Sequence, residues 1–166
     1  MRGVLGPVLN KYGIGFRVLH GFSGATTVYD VAQDRRRLLK VLYVGDYDPS
    51  GLYMSERDLP DRLKKYGGDH IFIKRIALLR TDLDVVSTFE ASDKTDDPRH
   101  KWFVESFGDQ CAELDAMAPN DLRERVEEHI EGEIEPEAWE RYLATNKAEQ
   151  ESLREVAAFR LLLIAA

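Results

Sequence analysis

The chain has 166 residues, 43% of them hydrophobic and 32% charged, which fits one soluble globular module and excludes disordered, collagen-like and integral membrane chains. A single cysteine, Cys111, excludes an intramolecular disulfide framework and a zinc site built from several thiolates, and points to a reducing, cytoplasmic setting. The net charge of −7 argues against a nucleic-acid binder at first sight, but it joins two unlike halves: residues 1–80 carry 14 Lys/Arg against 8 Asp/Glu (+6), and residues 81–166 carry 9 against 22 (−13).

In chain order, Val4, Leu5, Val8 and Leu9 have the spacing of one helical face, and no charged and apolar leader of the secretory kind precedes them. Gly15-Phe16-Arg17-Val18-Leu19 reads as a strand. Gly24 to Ala32 reads as a helix with Ser23 as its cap, although the Gly21 to Thr27 stretch also has the makings of a phosphate-binding helix start. Leu38 to Val44 is a short, nearly continuous apolar run of the kind buried on both faces of a parallel sheet. Leu52, Leu59, Leu63 and Tyr66 mark the next helix, which Pro60 is expected to break or kink and Gly67-Gly68 to end. Ile71 to Leu78 is a further strand, so the order strand, helix, strand, helix, strand implies an α/β parallel sheet flanked by helices.

Past residue 80 the pattern changes. Asp93 to Arg99 is polar and reads as loop. Leu122, Val126, Ile130 and Ile134 recur every four residues on an amphipathic helix with glutamates elsewhere around it, and Pro136 stands where a second helix would begin. The apolar end, Val156 to Ala166, is too short for a membrane span and is interrupted by Arg160, so it reads as a packing surface for the body of the fold or for a second copy. The division is an α/β core over 1–118 and a mainly helical, acidic extension over 119–166.

The chemistry-bearing segment is Gly45-Asp46-Tyr47-Asp48-Pro49-Ser50-Gly51, at the C-terminal end of the most apolar strand, the edge where open α/β sheets bind ligands. Two carboxylates one residue apart leave the strand on one side, and Gly45, Pro49 and Gly51 favour a tight turn. Hard oxygen ligands in small number, with room for water and phosphate, suit Mg²⁺ rather than Zn²⁺. The competing reading is that Asp46 and Asp48 only cap a turn. Arg35-Arg36-Arg37, Lys64, Lys65, Lys74 and Arg75 make this half basic, either as a solvated face or as a contact for a phosphate backbone.

Val41 to Gly51 resembles the Asp-x-Asp-Pro-x-Gly strand end of Toprim domains, nearest to the version in type VI DNA topoisomerase A subunits and uncharacterised bacterial Toprim-like proteins. Lys74 to Leu78 resembles the following strand of that group, and Glu113-Leu114-Asp115-Ala116-Met117 its Glu-Leu-x-Ala-Leu segment. The resemblance spans roughly residues 1–135 and implies Mg²⁺-dependent, topoisomerase-like or nuclease-like chemistry on DNA or RNA phosphodiesters, with Asp46 and Asp48 as metal ligands. The family's Glu at the end of its first strand has no match ahead of the helix near Gly3. Either the chain is a shortened form that needs a partner subunit, or Glu113 supplies the third catalytic carboxylate. The topoisomerase tyrosine has no match either; Tyr47 and Tyr53 stand beside the Asp pair without its motif.

Other readings carry less. Gly21-Phe22-Ser23-Gly24 is not a nucleophile elbow, and His20, His70, His100 and His129 lack zinc-protease spacing. Trp102 and Trp139 read as core or interface residues. A phosphatase built on Asp46, a nucleotide-sugar transferase built on Asp-x-Asp, and a catalytically silent assembly protein that self-associates through its C-terminal helices complete the alternatives.

Overall fold

In a computed structural model the described residues are 1–19, 24–34 and 38–164, with side chains described through residue 156. Ser23, His20 and Arg35 to Arg37, singled out from the sequence, lie outside them. Two compact units form, Met1–His129 and Ile130–Ala166.

The first unit is mixed α/β. Helix α1 (Arg2–Lys11) buries Leu5, Val8 and Leu9, the face its spacing implies, and α2 (Ala25–Gln33) buries Val28 and Ala32. Strand β1 (Leu39–Val44) leads to α3 (Pro49–Tyr53), a widened π turn (Met54–Asp58) and α4 (Leu59–Lys65). Strand β2 (Ile71–Ala77) then pairs parallel with β1, placing Leu39 opposite Ile71 and Leu42 opposite Lys74. Pro60 does not break this helical run. The turn before it is wide, with the Leu59 N–H reaching Met54 O, and the residue lacking an N–H sits in the first turn of α4. The run ends where the sequence implies: Gly67 takes φ +80°, and the Gly68 N–H donates to Leu63 O at 2.8 Å, closing the helix with a glycine in the left-handed region.

The helices cover one face of the sheet. Val28 and Ala32 of α2, Met54, and Leu59 and Leu63 of α4 form a core that takes in Tyr43, Ile71 and Ile73 from the strands and Leu19 from the segment before α2. This corrects two expectations. Residues 15–19 form no strand: Val18 is half exposed and Leu19 alone of the run joins this core, too little burial to hold an added strand. Strand β1 is half buried along most of its length rather than buried on both faces, and on the side away from these helices Lys40 of β1 and Phe72 and Lys74 of β2 are exposed.

Asp93 to Arg99, expected to be loop, runs from the end of a short 3₁₀ turn through turns into the next helix, and short elements flank it. A 3₁₀ turn at Arg80–Asp84 precedes β3 (Phe89–Glu90), which pairs antiparallel with β4 (Gln110–Cys111) across α5 (His100–Phe107); a second short turn covers Ala91–Lys94. Helix α6 (Pro119–Glu131) turns Leu122, Val126 and Ile130 inward, while Ile134 falls beyond its end. Glu127 of α6 accepts hydrogen bonds from Lys11 Nζ at 2.6 Å and Tyr12 Oη at 3.0 Å, tying the end of α1 to it. In the second unit, α7 (Pro136–Ile164) starts at Pro136 as expected and exposes Tyr142, Leu143, Leu153 and Val156. Among the described residues no helix is long and apolar enough to cross a membrane.

Candidate functional site

Strand pairing continues past the end of β1: the Gly45 N–H donates to Ala77 O and the Leu78 N–H to Gly45 O, both at 2.8 Å. The chain then pairs with a different segment. Tyr47 and Ala112 exchange main-chain hydrogen bonds of 2.8 and 2.9 Å, which brings residues 111–114 alongside the Asp-x-Asp stretch. Tyr47 sends its ring inward, in edge contact with Phe103 and Phe107, and burial raises its pKa against the pull of Arg80 and Arg75. It is a core residue. Tyr53 likewise packs edge-on against Trp102, which confirms the tryptophan as a packing residue.

Asp46 is exposed, and its Oδ1 accepts the Leu114 N–H at 2.8 Å. Asp48 is buried and extended (φ −147°, ψ 173°), and caps α3 by accepting the Gly51 N–H on Oδ1 at 2.6 Å. Pro49 takes the first helical position, where its missing N–H costs nothing. Gly51 is required by space: a Cβ there would lie 2.3 Å from Asp46 O. The second oxygen of Asp48 faces the Lys94 ammonium at 3.5 Å. Cys111 is fully buried nearby, and burial, reinforced by the Asp48 charge, pushes its thiol up to about 11.

Arg75 organises the whole turn. Its Nε donates to Ser55 Oγ at 3.0 Å, and its terminal nitrogens donate to the carbonyls of Gly45, Asp46, Gly51 and Leu78 at 2.7 to 3.1 Å, while the guanidinium lies 4.9 Å from the Tyr43 ring centroid. One side chain thus holds the end of β1, the Asp-x-Asp turn and the start of α3 together. Arg75 is therefore not part of a basic surface, which corrects its assignment to the solvent-facing charge of the first half. The signal was present in the sequence: Arg75 shares the period-two phase of Ile71 and Ile73, the inward-facing residues of β2. Lys94 carried no comparable signal, since it reaches Asp48 only through the turn after β3.

The structure thus places Asp46 and Asp48 on one turn and sets the main chain of Glu113 beside the Asp46 carboxylate. The Glu113 side chain is exposed, and among the described residues no group of three His, Cys, Asp or Glu side chains is close enough to hold a metal ion. His70 Nε2 lies 2.9 Å from Asp34 O and His129 Nδ1 2.8 Å from Arg125 O, both occupied by main-chain partners. In comparisons with known proteins, no family model, curated protein or solved structure matches the chain.

Proposed function

We propose that the chain is a Toprim-like module that holds nucleic-acid phosphate through Mg²⁺ at Asp46 and Asp48. The observation that carries the reading is the arrangement at the end of β1. Asp46 is exposed and oriented by the Leu114 N–H on one oxygen, with no protein hydrogen bond to the other among the described residues, and Asp48 stands two residues on with an oxygen that faces Lys94. Mg²⁺ needs few protein ligands: one or two carboxylates suffice when water and phosphate complete its shell. The two aspartates meet that requirement, and Mg²⁺ bound there would neutralise phosphate charge. Lys94 then leaves Asp48 for a phosphate oxygen, and Arg75 keeps the turn in place.

The reading is one of holding rather than cutting. Cleavage of the two-metal kind needs a third carboxylate, and Glu113 reaches the site with its main chain only. The site fits DNA and RNA alike, and the reducing setting implied by Cys111 is the cytoplasm.

A second reading has its own support: Tyr142, Leu143, Leu153 and Val156 of α7 are exposed apolar residues on a helix long enough to self-associate, as a silent assembly protein would require. One experiment separates the two. Mg²⁺ is titrated calorimetrically into the wild type and into Asp46→Asn, with the mass in solution measured on the same samples. The first reading expects wild-type Mg²⁺ binding that Asp46→Asn weakens at least about tenfold without changing the mass. Equal Mg²⁺ responses sink it, and a concentration-dependent dimer lost on deleting residues 156–166 then supports the second.

A further inference from the structure

Strand β2 pairs with β1 along one edge, and the register decides which of its main-chain groups that pairing uses. The Leu39 N–H donates to His70 O at 3.1 Å. In a parallel ladder that phase turns the N–H and C=O of Phe72 and Lys74 toward β1, and those of Ile71, Ile73 and Arg75 toward the other edge. Gly68 O takes the Ile71 N–H at 3.0 Å. Among the described residues, the N–H groups of Ile73 and Arg75 and the carbonyls of Ile71 and Ile73 have no hydrogen-bond partner. A groove of about 380 Å³ follows this edge, lined by Ile71, Ile73 and Arg75 of β2 and by Pro60, Leu63 and Lys64 of α4. Helix α4 thus roofs the free edge of the strand.

Main-chain donors and acceptors directed into a walled groove are a template for one more strand. Only an extended polypeptide repeats N–H and C=O groups at the matching spacing. A second copy fits badly. Pairing β2 with its own counterpart about a two-fold axis sets both α4 helices over one seam between strands about 4.8 Å apart, whereas packed helices need about 8–10 Å. A lone extended segment brings no helix and passes beneath α4. The pleat then fixes its side chains: those facing the helices meet Ile71, Ile73 and Leu63 and are apolar, and those on the other face lie beside the exposed Lys74, which favours carboxylates. We infer that the free edge of β2 takes up an extended segment of a partner protein as a third strand, one that alternates apolar and acidic residues. The contact uses the main chain of Arg75 and not its side chain, and needs no metal.

The test is fluorescence anisotropy of a labelled peptide of alternating valine and glutamate with the full chain in EDTA, so that failure of the Mg²⁺ site leaves the result untouched. Binding should slow hydrogen exchange at the Ile73 and Arg75 amides. Methylating the peptide nitrogens should weaken binding at least about tenfold, because the strand-to-strand hydrogen bonds are lost. Lys74→Glu should weaken it about 2- to 30-fold, as one attractive cross-strand pair becomes a repulsive one, and a valine–lysine peptide should recover the loss on that variant. Lys74 is exposed, so the variant should keep the wild-type circular dichroism spectrum. Absence of wild-type binding at sub-millimolar protein, equal affinity of the methylated peptide, no recovery by the valine–lysine peptide, or a wild-type dimer that the peptide dissociates would each overturn the assignment. The last would show that a second copy covers the edge.

Discussion

Replacing Arg75 by methionine tests how the turn that bears Asp46 is held. The guanidinium donates to five acceptor atoms, Ser55 Oγ and the carbonyls of Gly45, Asp46, Gly51 and Leu78. Methionine fills much of the same volume but donates nothing; Gly45 O keeps the Leu78 N–H and Gly51 O the Met54 N–H, while Asp46 O, Leu78 O and Ser55 Oγ lose the charged donor. A buried polar group left unpaired costs about 1–3 kcal/mol, and such losses around one side chain do not add in full. The site is also only half buried, so water recovers part of the loss. Together these place the expected destabilisation at about 3–5 kcal/mol, a large fraction of the ~5–15 kcal/mol that holds a domain together. In urea, with a slope near 2 kcal/mol per molar for a chain of this size, the midpoint should fall by about 2 M with the slope unchanged. Arg75→Lys keeps the charge but not the planar fork and should recover less than half of the loss. A cost below about 0.5 kcal/mol for Arg75→Met would refute the argument, because it would mean that the carbonyls find equal partners without it.

Two further outcomes follow from buried ionisable groups. Asp82 is buried, and its Oδ2 accepts the Leu79 N–H at 2.7 Å and an Arg125 terminal N–H at 2.6 Å. Burial alone would raise its pKa, but the hydrogen bonds from Arg125 and from Leu79 outweigh it and hold the carboxyl below its usual value. A group whose folded pKa is depressed contributes its full stabilisation above the unfolded value of about 4 and loses it as pH falls through the folded value. Asp82→Asn should therefore be less stable than wild type at pH 7, with the gap narrowing below pH 4; a gap that stays constant from pH 7 to pH 2 in urea titrations would contradict this. Cys111, buried and pushed up to about 11, is a protonated thiol at neutral pH. A disulfide reagent at pH 8 should label the native protein slowly and the urea-unfolded chain within seconds, and fast stoichiometric labelling of the native form would show that the thiol is accessible.

Much of the local structure was legible in the sequence because it depends on neighbours along the chain. The spacing of Val4, Leu5, Val8 and Leu9 fixes the buried face of α1, Pro136 opens α7, Gly67 closes α4, and the two apolar runs become β1 and β2. The turn at Asp48-Pro49-Ser50-Gly51 belongs to the same class, since an N-cap, a proline at the first helical position and a glycine under a close carbonyl are all short-range requirements. What only the tertiary structure decided was which elements meet. Residues 15–19 look like a strand by composition, but a strand exists only where another edge accepts it. The pairing of Tyr47 with Ala112, which gives Asp46 its Leu114 partner, joins segments more than sixty residues apart, and no local pattern encodes it.

The charge count shows the same division. The sequence alone determined that the first half is basic and the second acidic. It could not tell that Arg75 is spent inside the fold on carbonyls while Lys40 and Lys74 of the same sheet are exposed, because burial depends on what packs against a strand and not on the strand itself.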